Sequence, residues 1–125
     1  MFDHLMLAVA DMQKSVTFYD KALAPLGISR SPSGPAESLT NASYGLSGKR
    51  SFFLHLGDPV RGQVHIAFSA SSRKQVDAFY EAALSAGGRD NGAPGIRKYH
   101  PGYYAAFILD PDGCNVEVVC HHTSA

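Results

Sequence analysis

The sequence predicts an α+β fold built from two copies of a βαβββ unit, in which helices cover one side of a sheet. Three observations predict it: an internal repeat, strand-like alternation at the start of each copy, and a capped amphipathic helix after each strand. The chain has 125 residues, the length of one domain, enough to bury about two thirds of its unfolded surface. We expect a single domain, residues 1–125, with module one at 1–57 and module two at 64–120.

The internal repeat keeps a constant spacing of 61 residues without gaps. The segment DHLMLAVADMQKSVTFYDKALAPLG matches the segment VHIAFSASSRKQVDAFYEAALSAGG. Chance would rarely align so many positions in register, so we predict a duplicated module. The matched pairs are His4 with His65, Phe18 with Phe79, Tyr19 with Tyr80, Asp20 with Glu81, Ala22 with Ala83, Leu23 with Leu84, and Gly27 with Gly88.

Each copy begins with a strand, because side chains alternate in character from His4 and from His65 onwards. The two histidines therefore open equivalent strands. A helix follows each strand: Asp11 is the N-cap of the first, and Ser72 with Gln75 three residues later forms a capping box for the second. Apolar stripes with a period of about 3.6 residues predict that both helices pack against a sheet.

Short strands follow each helix. In the second copy, residues 104–109 and 114–120 predict a hairpin whose turn is the DPDG sequence at 110–113, since proline presets φ and glycine accepts a positive value. In the first copy, residues 42–46 and 50–56 are predicted as the last two strands. These are the last two strands of each predicted βαβββ unit, and the middle of the unit is less distinct in the first copy.

Two long segments rich in proline, glycine and serine separate the helices from the predicted strands. They cover residues 29–41 and 89–104, and we predict both as connections. Connections of this length inside a compact domain are commonly functional. Residues 57–63 are predicted as the short joint between the modules.

The overall charge and the N-terminal sequence exclude several classes of function. Eleven Lys and Arg residues balance eleven Asp and Glu residues, and no basic cluster suggests a nucleic-acid or anionic-membrane partner. The apolar start carries Asp3 and Asp11 and lacks the basic beginning of a signal peptide. Cys114 and Cys120 lie too far apart on one predicted strand for a disulfide. We therefore expect a cytoplasmic protein whose partner is a small molecule.

A candidate metal site combines two histidines and one carboxylate. Alternation in the last strand places Glu117 on one face, and if His4 and His65 share that face, two imidazoles and one carboxylate converge. This set suits Zn²⁺, Ni²⁺, Mn²⁺ or non-haem Fe²⁺, with coordination positions left open for a substrate. A lone inward histidine is more often a hydrogen-bonded core residue, and Glu117 can also be a solvent-facing edge residue. The repeated histidine favours the metal interpretation.

Three segments in order carry a family resemblance: DHLMLAVADMQKSVTFYDKAL, VHIAF and AAFILDPDGCNVEVV. Over essentially the whole chain, the sequence resembles the glyoxalase, bleomycin-resistance and extradiol dioxygenase superfamily, the vicinal oxygen chelate proteins. The resemblance implies that the paired modules form a cupped mixed sheet with helices on the outer face. It also implies a divalent cation that chelates vicinal oxygens of a substrate, with His4, His65 and Glu117 as the ligands from the first, fifth and eighth strands.

The chain departs from the glyoxalase I members of that superfamily at the fourth strand. Those members add a glutamate there, whereas this chain reads SFFLHLG without an acid. We expect His55 or Leu56 at the equivalent place. His55 shares its alternation with Phe53 and is either a fourth ligand or a histidine that contacts solvent or the ligands. The departure argues against glyoxalase I activity itself.

The resemblance also implies chemistry and substrate contacts. A bound cation would act as a Lewis acid on a developing enolate or alkoxide. The loop RDNGAPGIRKYHPGYY resembles the segment that covers the cup in small members, although a solvated loop is equally compatible with its composition. His121 and His122 are interpreted as a frayed tail. The candidates for the general base are Glu117, His55, His100 and Tyr103. The candidates for substrate contacts are Phe53, Arg97, Tyr99, His100 and Tyr103.

Three functions remain open from the sequence. The first is a metal-dependent enzyme of the lyase, isomerase or dioxygenase type. The second is a metal-free protein that sequesters an antibiotic, as bleomycin-resistance proteins do, and the ligand trio argues against it. The third is an antibiotic-modifying transferase of the fosfomycin type, whose potassium-binding and phosphonate-binding residues are not found. We expect a homodimer, since the exposed side of each small sheet would leave an apolar patch.

Overall fold

The computed structural model of the protein describes residues 1–32, 34–61 and 63–122. Residues 123–125 of the predicted domain, and single positions in the predicted connection 29–41 and joint 57–63, lie outside the described residues. Short 3-10 helices occur at Ala24–Leu26 and Ala36–Ser38. The strands and α-helices are β1 (Leu5–Val9), α1 (Met12–Leu23), β2 (Ser29–Arg30), β3 (Asn41–Gly45), β4 (Phe52–Leu56), β5 (His65–Ser69), α2 (Arg73–Ser85), β6 (Arg89–Ile96), β7 (Tyr104–Leu109) and β8 (Asn115–Cys120).

The strands form two four-stranded mixed sheets of identical topology. The first sheet has the order β1-β4-β3-β2 and the second has the order β5-β8-β7-β6. In each sheet the first pair is parallel and the other two pairs are antiparallel. The predicted α+β fold of two βαβββ modules is therefore confirmed. In the described part of the chain, β1 and β5 each have a hydrogen-bonded neighbour on one side only.

Both predicted connections are partly wrong: β2 lies at the start of 29–41, and β6 occupies the first eight residues of 89–104. Strand β6 pairs with β7 through two register shifts, one on each side of Gly92, whose φ is +150°. Irregularities of this kind accommodate glycine, and an edge strand tolerates Pro94, which has no amide hydrogen to donate. The composition that suggested a loop instead belongs to a bulged edge strand.

The predicted helix caps are present. The Asp11 carboxylate accepts a hydrogen bond from the Lys14 amide at 3.1 Å, and the Ser72 hydroxyl accepts one from the Gln75 amide at 3.2 Å. The Gln75 side chain in turn accepts from the Ser71 amide at 2.7 Å. Each cap satisfies amides that the first helical turn leaves without a partner, so both helices begin where the sequence predicted.

The two modules share one hydrophobic core. Phe52 of the first sheet packs edge-on against Phe68 of the second, with ring centroids 5.3 Å apart. The Tyr19 hydroxyl of α1 donates a 2.5 Å hydrogen bond to the buried Asp110 carboxylate in the β7–β8 turn. No helix among the described residues is both long and apolar enough to cross a membrane. The largest fully buried side chains are Tyr19, Tyr44, Phe18, Phe79, Leu23, Leu54, Ile108, Val9, Val16, Val76, Val116 and Val118.

The β7–β8 turn is a rigid part of this core. The Gly113 amide donates to the Asp110 carbonyl at 2.9 Å, with the positive φ of +88° that the DPDG sequence predicted. The Asp110 side chain also accepts from the amides of Asp112 and Cys114, each at 2.9 Å. These two amides and the Tyr19 hydroxyl replace the water that burial removes from the Asp110 carboxylate. The turn also fixes the start of β8.

Candidate functional site

The chemistry-bearing side chains lie on the sheet faces that point away from the core. In the second sheet we call this surface the open face. Its residues alternate with the core-facing ones because successive side chains of a strand point to opposite sides, although Ala105, Glu117 and Val119 on this face are also buried. Across the pairs, Ala67 lies beside Glu117, and Glu117 lies beside Phe107. The open face comprises His65, Ala67, Ser69, Ala105, Phe107, Leu109, Asn115, Glu117 and Val119.

Glu117 is the buried acid of the open face. It is only 2% exposed, because His65 and Tyr103 cover its two oxygens. Its Oε1 lies 2.8 Å from His65 Nε2, and its Oε2 accepts a hydrogen bond from the Tyr103 hydroxyl. These partners offset the cost of removing a carboxylate from water. His65 itself remains half exposed, so the pair is reachable from solvent.

Tyr103 is a hydrogen-bond donor whose proton is held firmly. Burial, the hydrogen bond to Glu117 and the charge of that carboxylate together raise the pKa of Tyr103 to about 12. Each cause disfavours the phenolate: burial penalises its charge, and the carboxylate repels it. The phenol is therefore protonated at neutral pH, and it orients the glutamate from the side opposite to His65.

An aromatic cluster surrounds Tyr103. Its ring contacts Tyr99, His100 and His121 edge-on, with centroids 4.9, 5.0 and 5.3 Å away. His100 and His121 stack on each other at 4.8 Å and 13°. The expectation that His121 belongs to a frayed tail is thus wrong. His121 lies four residues after Glu117 and one residue beyond the end of β8, so extending the alternation of the strand would have placed it on the same face as Glu117.

Arg97 and His65 both lie near the ring of Phe107. The guanidinium carbon is 5.3 Å from the centroid of the Phe107 ring, and the His65 ring centroid is 6.2 Å from it. The Arg97 amide donates to the Tyr103 carbonyl at 2.8 Å. This hydrogen bond closes the connection between β6 and β7, so Arg97, Tyr99, His100 and Tyr103 belong to one ordered hairpin end.

His4 precedes β1 and belongs to the first module. Its Nδ1 lies 2.7 Å from the Asp3 carboxylate, and its ring contacts Phe53 edge-on at 5.6 Å. The hydrogen bond with His4, followed by the charge of Lys49, lowers the pKa of Asp3. Among the described residues no partner engages Nε2, which a ring anchored through Nδ1 presents as a potential ligand atom.

The strand register identifies the counterpart of Glu117 in the first module. Ala67 pairs with Glu117, and Met6, the repeat equivalent of Ala67, pairs with Phe53. The expectation of His55 or Leu56 at this place is therefore wrong. His55 lies two residues further along the same face, opposite Ala8. An aromatic ring occupies the position where glyoxalase I members carry their additional acid.

The predicted trio is only partly brought together. Two donor atoms 2.8 Å apart, His65 Nε2 and Glu117 Oε1, fit adjacent positions around one ion with bonds of about 2.0–2.2 Å. Within residues 1–32, 34–61 and 63–122, however, no three His, Cys, Asp or Glu side chains form a group that could hold a metal. His4 and His65 instead line a shared cavity of about 530 Å³ beside β1 and β5.

Comparisons with known proteins agree on one family. The model of the Glyoxalase/Bleomycin resistance protein/Dioxygenase superfamily matches residues 1–118. A glyoxalase/bleomycin resistance protein from Albidiferax ferrireducens is similar in structure, with 29% identity, a TM-score of 0.78 and coverage of 96% of this chain and 98% of that one. No curated protein matches the chain.

Two more distant structures show the same fold. A glyoxalase-related enzyme from Fulvimarina pelagi is 20% identical with a TM-score of 0.70, and the alignment covers 93% of this chain and 84% of that one. A glyoxalase/bleomycin resistance protein/dioxygenase family enzyme from Burkholderia phytofirmans is 17% identical with a TM-score of 0.71, covering 94% and 96%.

Proposed function

The chain belongs to the Glyoxalase/Bleomycin resistance protein/Dioxygenase superfamily, and we propose that it is a metal-dependent enzyme of the lyase, isomerase or dioxygenase type. Its substrate is a small molecule with vicinal oxygens. The observation that carries the proposal is Glu117, a buried carboxylate shared between His65 and Tyr103 on an otherwise open sheet face. A carboxylate there adds nothing to core packing, and buried acids next to a histidine are typical of functional sites.

In this proposal His4, His65 and Glu117 hold one divalent cation, namely Zn²⁺, Ni²⁺, Mn²⁺ or Fe²⁺. When bound, the cation supplies Lewis-acid stabilisation of negative charge on substrate oxygens. Tyr103 holds its proton at neutral pH and donates it to Glu117 Oε2 as a hydrogen bond, which leaves Oε1 directed at His65. Glu117 is the first candidate for the group that accepts a substrate proton, and His55 and His100 remain further candidates.

We propose that the complete site lies between two copies of the chain. β1 and β5 each leave one strand edge unpaired within the described residues, and β1 exposes Leu5 and Met6 to 43% and 57%. Unpaired edges with apolar side chains favour pairing with another chain. If β1 of one copy lies beside β5 of a second copy, His4 of the first approaches His65 and Glu117 of the second. The predicted homodimer would then hold two equivalent sites.

Metal content tests the proposed cofactor. Protein without a histidine tag is purified anaerobically, reconstituted with each candidate ion, and analysed by inductively coupled plasma mass spectrometry. We expect one ion per chain, and we expect Glu117→Gln and His65→Ala to weaken binding by at least about tenfold. Ser69→Ala is the matched control, because it changes the same face of β5 at a residue outside the trio. Full occupancy in both ligand variants, or an empty wild type after reconstitution, would overturn the metalloenzyme proposal.

Subunit mixing tests where the site lies. His4→Ala and Glu117→Gln chains, carrying different purification tags, are combined and the mixed dimer is isolated. In a site between chains, one of the two sites receives both substitutions and the other receives neither. We then expect about half of the wild-type metal content with wild-type affinity. If each site lay within one chain, both sites of the mixed dimer would carry one substitution and no high-affinity ion would be recovered.

The second candidate function is metal-free sequestration of a small molecule. Two observations favour it: no metal-holding group among the described residues, and an aromatic ring at Phe53 in place of an acid. Phe53, Phe107 and Tyr99 would then contact an aromatic ligand. Native mass spectrometry of protein from cells distinguishes the two candidates, because sequestration predicts a bound organic mass that survives treatment with a chelator.

A further inference from the structure

Arg97 is a cation without a charged partner among the described residues. Its side chain is half buried, and its Nη2 donates one hydrogen bond to the Ala93 carbonyl at 2.7 Å. In the described part of the chain, no carboxylate lies within ion-pair distance of the guanidinium. A guanidinium has five N–H donors, so most of the Arg97 donors have no acceptor in residues 1–32, 34–61 and 63–122. A half-buried, uncompensated positive charge provides a place for an anion.

The backbone of β6 is shaped around this guanidinium. A Cβ atom at Gly95 would lie 3.0 Å from Arg97 Nη1, and one at Gly92 would lie 3.3 Å from Nη2 and 2.9 Å from the Phe107 ring. Side chains at these two positions would therefore crowd the guanidinium. The two glycines leave room for it beside the Phe107 ring, where cation–π attraction also holds it.

The guanidinium is adjacent to the Glu117 site. Phe107 lies directly opposite Glu117 across the β7–β8 pair. The centroid of its ring lies 5.3 Å from the Arg97 guanidinium carbon and 6.2 Å from the centroid of the His65 ring. The cation and the acid–imidazole pair therefore border the same aromatic ring. A molecule lying across Phe107 can contact both groups.

We infer that Arg97 is a substrate-binding residue that takes a carboxylate, and that the substrate is a small carboxylic acid. The planar fork of a guanidinium matches a carboxylate with two parallel hydrogen bonds, and a single positive charge matches a monoanion. The negative Glu117 repels the carboxylate end, so the acid binds in one direction, with its oxygenated end towards His65 and Glu117. This orientation rests on the proposed function, whereas the carboxylate contact itself requires no metal.

Ligand titrations with a matched acid and amide test the inference. The probes are 2-oxobutanoate, the uncharged 2-oxobutanamide and inorganic phosphate, added to full-length ¹⁵N-labelled protein with and without chelator. We expect the Arg97 Nε–H resonance to shift with the acid, and the acid to bind at least about tenfold more tightly than the amide, as a charged hydrogen-bonded pair allows. Arg97→Gln should abolish this preference. Arg97→Lys should reduce it, since the charge remains but the fork is lost.

Lys98→Gln is the control, because Lys98 is the neighbouring exposed cation and its removal lowers the net charge equally. We expect it to keep the preference for the acid. Equal binding of acid and amide by the wild type, an unchanged preference in Arg97→Gln, or phosphate binding more tightly than the acid would each overturn the inference. A preference for the acid in protein that takes up no metal would contradict only the proposed metalloenzyme, so the two failures are distinguishable.

Discussion

The two modules have the same topology and differ on the faces that point away from the core. In the second module, β8 places Glu117 opposite Ala67, and the acid is held by His65 and Tyr103. In the first module, β4 places Phe53 opposite Met6, and the ring contacts His4. The duplication thus preserved the backbone while the side chains at equivalent positions diverged. The second module presents the carboxylate of Glu117 and the phenol of Tyr103. The first module presents the ring of Phe53 and the imidazole of His4.

The helices differ in a similar way at the repeated tyrosine. The Tyr19 hydroxyl donates to Asp110 across the module boundary and both residues are buried. The Tyr80 hydroxyl, its repeat equivalent, donates to Asp90 within the second module at 3.0 Å near the surface. The same residue therefore joins the two modules in one copy and makes a local surface contact in the other.

Removing the Tyr19 and Tyr80 hydroxyls in separate variants should give the largest of the expected effects and the clearest difference in stability between two equivalent positions. Tyr19→Phe leaves the buried Asp110 carboxylate with one donor fewer, and we expect a loss of about 1.5–3 kcal/mol of unfolding free energy, the range for hydrogen bonds to charged groups. Tyr80→Phe, the matched control, should leave the urea midpoint unchanged. The measurement is urea unfolding followed by circular dichroism. Equal midpoints for the two variants would contradict the assignment of Tyr19 as a joint between modules.

Introducing an acid at position 53 of the first module should make its outer sheet face resemble that of the second module. Phe53→Glu places a carboxylate at the counterpart of Glu117, beside His4, and we expect metal affinity to rise by about tenfold, the lower end of the range for changes around metal ligands. His55→Glu, on the same face two residues further along β4, should have a smaller effect. Competitive titration with a fluorescent chelator measures both variants. If His55→Glu tightened binding more than Phe53→Glu, the register argument for Phe53 would be wrong.

The titration of Tyr103 should report the charge of Glu117. Because the folded protein holds the phenol proton more tightly than the unfolded chain does, Tyr103 contributes stability that is complete below about pH 10. That contribution is lost as the pH rises through the folded-state pKa of about 12. Glu117→Gln removes the negative charge, so we expect the pKa of Tyr103 to fall while staying above its ordinary value, since burial remains.

Ultraviolet difference titration measures this shift. The spectrum of each background is compared with that of the same background carrying Tyr103→Phe, which isolates one phenol from the other tyrosines. A Tyr103 titration that is unchanged by Glu117→Gln would show that burial alone raises the pKa of Tyr103 and that the carboxylate does not reach it.

The smallest effect is expected at Asp3. Its carboxylate orients the His4 ring through Nδ1, whereas the repeat equivalent of Asp3 is Val64, which cannot do so for His65. Because the Asp3–His4 pair is exposed and screened by solvent, we expect Asp3→Ala to weaken metal binding only about threefold, less than the usual loss for a ligand's hydrogen-bond partner. Val64→Ala is the matched variant in the second module and should leave metal affinity unchanged. A loss as large as that of His4→Ala would instead make Asp3 a ligand.

Much of the fold could be predicted because its signals are local. Asp11, Ser72 and Gln75 cap amides within one helical turn, and the DPDG turn depends on the φ preferences of proline and glycine. The segment that became β6 could not be predicted in the same way. Its glycines and proline disfavour a strand locally, and only pairing with β7 at the sheet edge makes the strand stable.

The candidate site shows the same division. Repetition and alternation in the sequence were enough to select His65 and Glu117, which the structure brings to 2.8 Å. Sequence alternation could not choose between Phe53 and His55, because both lie on one face of β4. Only the pairing of β4 with β1 fixes which residue stands opposite Met6. His121 was missed for a related reason: its stacking on His100 depends on the hairpin end that folds back over β8.

The sequence by itself determined the duplication, the two capped helices and the hairpin turn. It also selected His4, His65 and Glu117 as candidate ligands. Each of these inferences depends on residue spacing or on contacts within a few positions. The tertiary structure alone decided the strand register, the partnership of Glu117 with Tyr103, the position of Arg97 on Phe107 and the separation of His4 from the other two candidate ligands. The physical reason is that these features depend on residues far apart in the chain. Their distances are set by sheet pairing and by the shared core.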